Sequence, residues 1–229
     1  MIDIVYTYKF DPHTTNRQLI YSLRSLEKHL KGNIGKVFVI GADPELFHVA
    51  HIPATDTKSA AVNIKDKLLI ACNHPDISDD FLYVADDHYL LSDVEIEKFP
   101  VYSNGTLANL SRTQNNTYKQ NVIETMKYIP EGKNYNIHAP IIYNKEKLKD
   151  IIEETVWKPL GLLIKSLYCN RLELQGKELS DCKISRDISI EEMRGRIVNR
   201  PVFSTGREKT IKQLRQFMDE LYPIKSKYE

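Results

Sequence analysis

The spacing of apolar and polar positions changes several times along this chain. Residues 2–8, Ile-Asp-Ile-Val-Tyr-Thr-Tyr, are β-rich and predict an opening strand. A loop with Asp11-Pro12 follows. Thr15 and Gln18 have capping-box spacing, with Thr15 as N-cap, and Leu19, Ile20, Leu23, Leu26 and Leu30 then share one helical face. Gly32 and Gly35 close that helix, and Lys36 to Gly41 forms a second strand. Residues 52–57 read as a loop, with Asp56 or Thr57 as N-cap of a helix through Ala60, Ala61, Ile64, Leu68 and Ala71 that stops before Pro75. Phe81 to Ala85 is a third apolar strand. The order β-α-β-α-β predicts a parallel sheet with right-handed crossovers.

Beyond residue 91 the pattern loosens. Residues 92–118 are polar and contain Pro100 and Gly105, which predicts a loop or a small antiparallel excursion. Tyr118 to Tyr128 reads as helix and Asn136 to Tyr143 as strand. Lys145 to about Lys165 is helical, with a break at Pro159. Residues 170–190 are turn-like, Pro201 to Gly206 is a short strand into a turn, and Lys209 to Leu221 is an amphipathic helix through Ile211, Leu214, Phe217, Met218 and Leu221. The expectation is one α/β domain over 1–229: a mixed, mainly parallel sheet flanked by helices, with an irregular C-terminal part.

Composition narrows the function classes. With 41% hydrophobic and 28% charged residues, the 229-residue chain can bury a real core, and disorder is not expected. A net charge of +1 excludes strong global attraction to nucleic acid, although a local basic patch is compatible with it. Cys72, Cys169 and Cys182 are far apart, which fits a reducing compartment and argues against a disulfide framework or zinc finger. No apolar run reaches membrane-spanning length, and the chain enters a strand directly, so a cytoplasmic location is expected.

The chemistry concentrates where the third strand ends. Phe81 to Ala85 runs straight into Asp86, Asp87 and His88. Open α/β sheets bind ligands at the C-terminal ends of their strands, and carboxylates are seldom buried unless paired or bound to metal. Mg²⁺ and Mn²⁺ take carboxylate oxygens, imidazole and phosphate. Neighbouring side chains of an extended segment point opposite ways, so both carboxylates reach one ion only if the chain turns there. Apolar character resumes at once in Tyr89-Leu90-Leu91, unlike a simple surface turn. His138, at the edge of another predicted strand, is a further candidate ligand. His13, His29, His48, His51 and His74 have no such context and read as surface or loop residues.

Three blocks then resemble the start of nucleotide-sugar-dependent transferases of the GT-A type: Asp3 to Thr7, Asn16 to Lys28, and Lys36 to Gly41. The likeness extends to Stealth-type sugar-phosphate transferases and covers about residues 1–145. Phe81 to Leu91 resembles the GT-A metal motif, called DxD, in an Asp-Asp-His variant, and His138 resembles the later histidine of such metal sites. The resemblance implies a GT-A-like fold with residues 1–91 as the nucleotide-sugar-binding half and 92–229 as the acceptor side. It implies a nucleoside diphosphate sugar as donor, with Mn²⁺ or Mg²⁺ held by Asp86, Asp87, His88 and His138. Which of the first three touches the ion is left open, because the two carboxylates are adjacent. Thr7 and Tyr8 end the first strand, where GT-A folds seat base and ribose. Arg24 reaches phosphate or pairs with Glu27 or Glu45. Asn63 and Lys67, four apart on the second helix, share a face, although a solvated face also accounts for Lys67.

Two late polar clusters complete the candidates. Asp181, Lys183 and Arg186 form one, and Ser204, Thr205, Gly206 and Arg207 the other; either could bind phosphate or be a solvated turn. Asp87 is a catalytic candidate. Asp181, Glu173 and Asp187 are candidates for the base that deprotonates an acceptor hydroxyl. Compact GT-A transferases of similar layout occur in phages, where they glycosylate hydroxymethylated pyrimidines in DNA, so the resemblance implies DNA or a glycan as acceptor. A DNA rim would draw on Lys119, Lys127, Lys133, Arg194, Arg196, Arg200 and Arg207. The alternatives are a sugar-phosphate transferase, a surface-polysaccharide transferase and a non-catalytic nucleotide-sugar-binding module.

Overall fold

The computed structural model describes residues 1–10, 17–46, 48–113, 117–206 and 210–229. The predicted Thr15 cap, the Asp11-Pro12 loop, His13 and Arg207 lie outside the described residues. In chain order the elements are β1 (Ile2–Tyr8), α1 (Arg17–His29), β2 (Leu30–Lys31), β3 (Ile34–Gly41), β4 (Ala50–Pro53), α2 (Ala60–Asn73), β5 (Asp80–Val84) and β6 (His88–Leu90). There follow β7 (Val94–Glu95), β8 (Tyr102–Ser103), α3 (Leu107–Thr113), α4 (Thr117–Met126), β9 (Ile141–Asn144), α5 (Lys145–Glu154) and α6 (Ile164–Arg171). The last are β10 (Lys177–Glu178), β11 (Lys183–Ile184), α7 (Ile190–Ile197), β12 (Val202–Thr205) and α8 (Leu214–Leu221).

The central sheet runs β4-β3-β1-β5-β9. Its first four strands are parallel, and β9 pairs antiparallel to β5. The molecule is therefore α/β with a mainly parallel sheet flanked by helices. Alternation along the strands feeds two apolar layers. Ile4, Tyr6, Val37, Val39, Leu82 and Val84 pack with Leu19, Leu23 and Leu26 of α1. Val5, Phe38, Ile40, Phe81 and Tyr83 pack on the other side with Leu68 of α2, Leu148 of α5 and Leu167 of α6. A third cluster joins β6, β11, β12, α7 and α8 through Tyr89, Phe203, Met193, Leu214 and Phe217. Among the described residues no helix is long and apolar enough to cross a membrane.

Several expectations are corrected. The 52–57 loop begins as strand, because Ala50–Pro53 pairs with the outer edge of β3. The N-cap of α2 is Ser59, because Asp56 is drawn to Lys67 and Asn63 holds the backbone of Lys58 through Oδ1 and Nδ2. Residues 92–118 contain a helix, α3. The strand predicted from Asn136 starts only at Ile141, and His138 sits in the bend before it. The long helix predicted from Lys145 is two, α5 and α6, with Pro159 in the connection. The turn-like 170–190 region holds the short strands β10 and β11, and the last helix starts at Leu214. His51, expected on the surface or in a loop, lies in β4, where Nε2 meets the Gly41 carbonyl.

Candidate active site

The chain runs from β1 outward through β3 to β4, then returns to place β5 on the other side of β1. Such a reversal opens a crevice at the carboxyl ends of the two strands. Here the crevice is a cleft of about 680 Å³ with Asp86 and Asp87 among its lining residues. Thr7 stands at the end of β1, and its hydroxyl meets Tyr83 Oη of β5 at 3.2 Å.

The acidic segment does turn. His88 N–H donates to the Ala85 carbonyl at 3.0 Å, closing a turn over Asp86 and Asp87 before β6 begins. Helix α1 fixes where β6 starts, since buried Ser22 accepts from Tyr6 Oη at 2.8 Å and donates to the His88 carbonyl at 2.7 Å. His88 is itself buried, and Ala85 N–H points at its Nδ1 at 3.4 Å. Burial pushes the His88 imidazole down to about 3, so it is neutral at physiological pH.

The two adjacent carboxylates have opposite environments. Burial raises Asp86 to about 7, the negative charge of Asp87 adds to the rise, and among the described residues no cation pairs with it. Burial also opposes ionisation of Asp87, but His88, Lys183 and His138 outweigh it and hold its carboxyl below the ordinary value. Lys183 of β11 donates to Asp87 Oδ2 at 3.0 Å. A pair pushed apart in this way assigns two carboxylates two roles.

Around the acids stand two rims. On the β1–β3 side, Lys9, Lys58 and Lys67 line the cleft with Asp56 and Asn63. Lys67 is only 3% exposed, and its Nζ donates to the Tyr8 carbonyl at 2.7 Å and to Asp56 Oδ2 at 2.9 Å. A solvated face for Lys67 is thus corrected: the ammonium is buried because a carboxylate and a carbonyl receive it. Gly41 is required beside it, since φ is +138° and a Cβ would lie 1.9 Å from the Tyr8 carbonyl oxygen.

On the β9 side the lining is Tyr118, Asn121, Asn136, His138 and Lys165 over apolar Leu162 and Leu163. His138 is held from three directions. Its backbone N–H donates to Asp181 Oδ1 at 3.1 Å, and its Nδ1 meets Asp181 Oδ2 at 2.7 Å. The Lys165 ammonium, buried at 7% exposure, donates to the carbonyls of Ile137 and Ala139 on either side at 2.6 and 2.7 Å. Burial lowers Lys165 to about 8. Burial resists the Asp181 charge too, but the hydrogen bond and charge of His138 hold its carboxyl below the ordinary value.

Of the residues singled out in the sequence, Thr7, Asn63, Lys67, Asp86, Asp87, His88, His138 and Lys183 line one cleft, with Asp181 directly behind His138. Tyr8 does not line it: its carbonyl receives Lys67, and its ring is buried on the α1 side, where burial and then the charge of Asp86 raise its phenol. Arg24 is elsewhere: it grips Glu229 through Nε and Nη2 at 2.8 and 2.6 Å and the Tyr222 carbonyl at 3.0 Å, not Glu27 or Glu45. Exposed Glu173 and Asp187 do not line the cleft, and Asp187 accepts the backbone N–H of Lys212 at 3.0 Å. Lys165, Asn121, Tyr118 and Gln18 are lining residues that sequence reasoning missed. Gln18 donates to Thr205 Oγ1 and the Gly206 carbonyl, tying α1 to the end of β12.

The donor set suits a divalent cation in part. Among the described residues no three His, Cys, Asp or Glu side chains converge as a ready metal cage. Asp87 is compensated by Lys183 and His138 by Asp181, which leaves Asp86 as the cleft carboxylate with no direct ion pair among the described residues, Lys183 and Lys67 acting on it only at longer range. One carboxylate completed by waters and substrate phosphates is an ordinary Mg²⁺ arrangement. No family model matches the chain, and no curated protein matches it.

Proposed function

We propose that this chain is a metal-dependent glycosyltransferase of GT-A type, moving a sugar from a nucleoside diphosphate sugar to an acceptor hydroxyl. The observation that carries this reading is the Asp86–Asp87 turn at the crevice between β1 and β5, flanked by a lysine-lined rim. The lysines favour a diphosphate, and Asp86 favours a Mg²⁺ or Mn²⁺ ion beside it. A bound cation supplies Lewis-acid neutralisation of the departing diphosphate. Lys183 keeps Asp87 ionised next to the reacting centre, where a carboxylate stabilises the oxocarbenium-like sugar. Lys9 is placed to meet phosphate and Thr7 to meet the nucleoside, whereas the Lys58 ammonium is taken by Asp66 at 2.9 Å.

The proposed acceptor is a hydroxymethylated pyrimidine in DNA, with a glycan as the second reading. The ion pairs of α7 favour the glycan: Arg194 is matched by Glu220 at 2.6 Å and Arg196 by Glu192 at 2.9 Å. Lys127 pairs with Glu124, so among the described residues a DNA rim rests on Lys119, Lys133 and Arg200, whose guanidinium meets only the neutral Ser180. The test is a thermal-shift panel of nucleotide sugars with and without Mn²⁺. A donor at 100 times its Kd should stabilise the fold by about 2.7 kcal/mol, and only with the metal present. A panel with no metal-dependent shift would remove this reading.

A further inference from the structure

The resemblance implies His138 as a metal ligand, whereas its surroundings point to another role. Asp181 takes Nδ1 and the backbone N–H of the same residue, and Lys165 pins the carbonyls on both sides. Among the described residues the ring therefore has one free nitrogen, Nε2, on a residue that lines the cleft. Its nearest ring neighbour, His88, is edge-on at 6.2 Å between centroids, and the Asp86–Asp87 turn lies just before that neighbour. The rim beside it carries the amides of Asn121 and Asn136 and the Tyr118 ring, with Lys165 turned onto backbone carbonyls, where the opposite rim carries Lys9, Lys58 and Lys67, which suits a neutral acceptor more than a diphosphate.

We infer that His138 Nε2 is the base that takes the proton of the acceptor hydroxyl, with Asp181 as its positioning residue. This rests on the proposed function. Asp181 fixes the tautomer with Nδ1 protonated and balances the imidazolium that forms, the division of labour of a histidine–carboxylate pair. In the step, the acceptor O–H bond breaks with its proton passing to Nε2. The acceptor oxygen forms a bond to the anomeric carbon. The bond from that carbon to the diphosphate oxygen breaks, its electron pair leaving with the nucleoside diphosphate. A single displacement of this kind inverts the anomeric centre.

The experiment follows cleavage of uridine, guanosine and thymidine diphosphate glucose by the full chain with Mn²⁺, using His138→Gln, His138→Ala and Asp181→Asn, alongside Mn²⁺ affinity measured with each matching diphosphate. The two His138 variants should lose about 10²–10⁴-fold in rate, the usual contribution of a positioned base. Mn²⁺ affinity should stay within twofold of wild type, added imidazole should restore rate to His138→Ala, and the product should have inverted configuration. Asp181→Asn should lower rate with Mn²⁺ affinity unchanged. A drop in Mn²⁺ affinity in His138→Gln would make the residue a ligand and overturn the inference. Retained configuration, or wild-type rate in His138→Gln, would overturn it too while leaving the glycosyltransferase reading standing. A wild-type chain that cleaves none of the donors overturns both.

Discussion

The two rims of the cleft solve one problem in different ways. Each buries a lysine whose ammonium holds backbone carbonyls: Lys67 holds Tyr8 at the end of β1, and Lys165 holds Ile137 and Ala139 around His138. Lys67 has a carboxylate partner, Asp56, whereas Lys165 has only carbonyls in contact and is pushed down to about 8. The β1–β3 rim is thus a charge-balanced wall, and the β9 rim a loop held in shape by one costly cation. With Lys67 matched by Asp56 and Lys58 by Asp66, attraction of an anionic donor to this rim falls to Lys9. A pinned loop suits the presentation of one imidazole at a set angle.

The comparison can be broken most sharply at Lys67. Lys67→Met strands the Tyr8 carbonyl and leaves the half-buried Asp56 without its partner; breaking a fully buried pair costs about 3–5 kcal/mol, and the cleft-facing side of Asp56 sets the expected loss at the lower end, about 3 kcal/mol. Chemical denaturation should show that loss, and a change under about 1 kcal/mol would mean the pair is not buried in solution. Asp86→Asn should act in the opposite direction. Asp86 is raised to about 7 from 3.8, so its ionised form is disfavoured in the fold. The penalty is complete above pH 7 and is relieved as pH falls from 7 toward 3.8. The variant should therefore be more stable than wild type at pH 8, by on the order of 2–4 kcal/mol. That gain should shrink through this window, as melting curves at stepped pH would reveal. A variant no more stable than wild type at pH 8 would contradict a strained carboxylate. Such a gain bought with lost activity is the usual signature of a functional site.

Lys165→Met should change stability least. It strands two carbonyls, at about 1–3 kcal/mol for an unsatisfied buried group, but it also removes a buried charge. That charge costs stability below pH 8, a cost relieved as pH rises from 8 toward 10.5. The net change at pH 7 should be within about 1 kcal/mol, while turnover falls and donor KM holds. A rise in donor KM instead would place Lys165 on the donor side.

The same contrast separates what could be read in the sequence from what could not. The β1–β3 rim grows from elements with a strong pattern: β1, β3 and β5 are apolar, β-rich runs buried on both faces, and α1 and α2 follow helical spacing. The acidic turn was visible because charge breaks an apolar run. Strand β4 was missed because a half-exposed edge with His51 and Pro53 has no alternation to detect. The β9 rim depends on pairings across long sequence distances. His138 and Asp181 are 43 residues apart, and Lys165 is 28 from Ile137. A lysine in a helix looks the same in sequence whether it is solvated or buried on carbonyls, so neither Lys67 nor Lys165 could be placed by pattern. Arg24 misled for the same reason, its partner Glu229 lying 205 residues away.

On the proposed function, the Asp86–Asp87 cleft cleaves a nucleoside diphosphate sugar with the help of a divalent cation. Nucleotide release from a panel of such donors, followed by chromatography with Mn²⁺ and with chelator, tests it most directly. The account predicts that at least one donor yields its nucleoside diphosphate with Mn²⁺, not with chelator, and that Asp86→Asn loses at least about 10²-fold of that rate. Release of nucleoside monophosphate would point to sugar-phosphate transfer instead. No release from any donor, or release that is equal in chelator and in Asp86→Asn, would contradict the account.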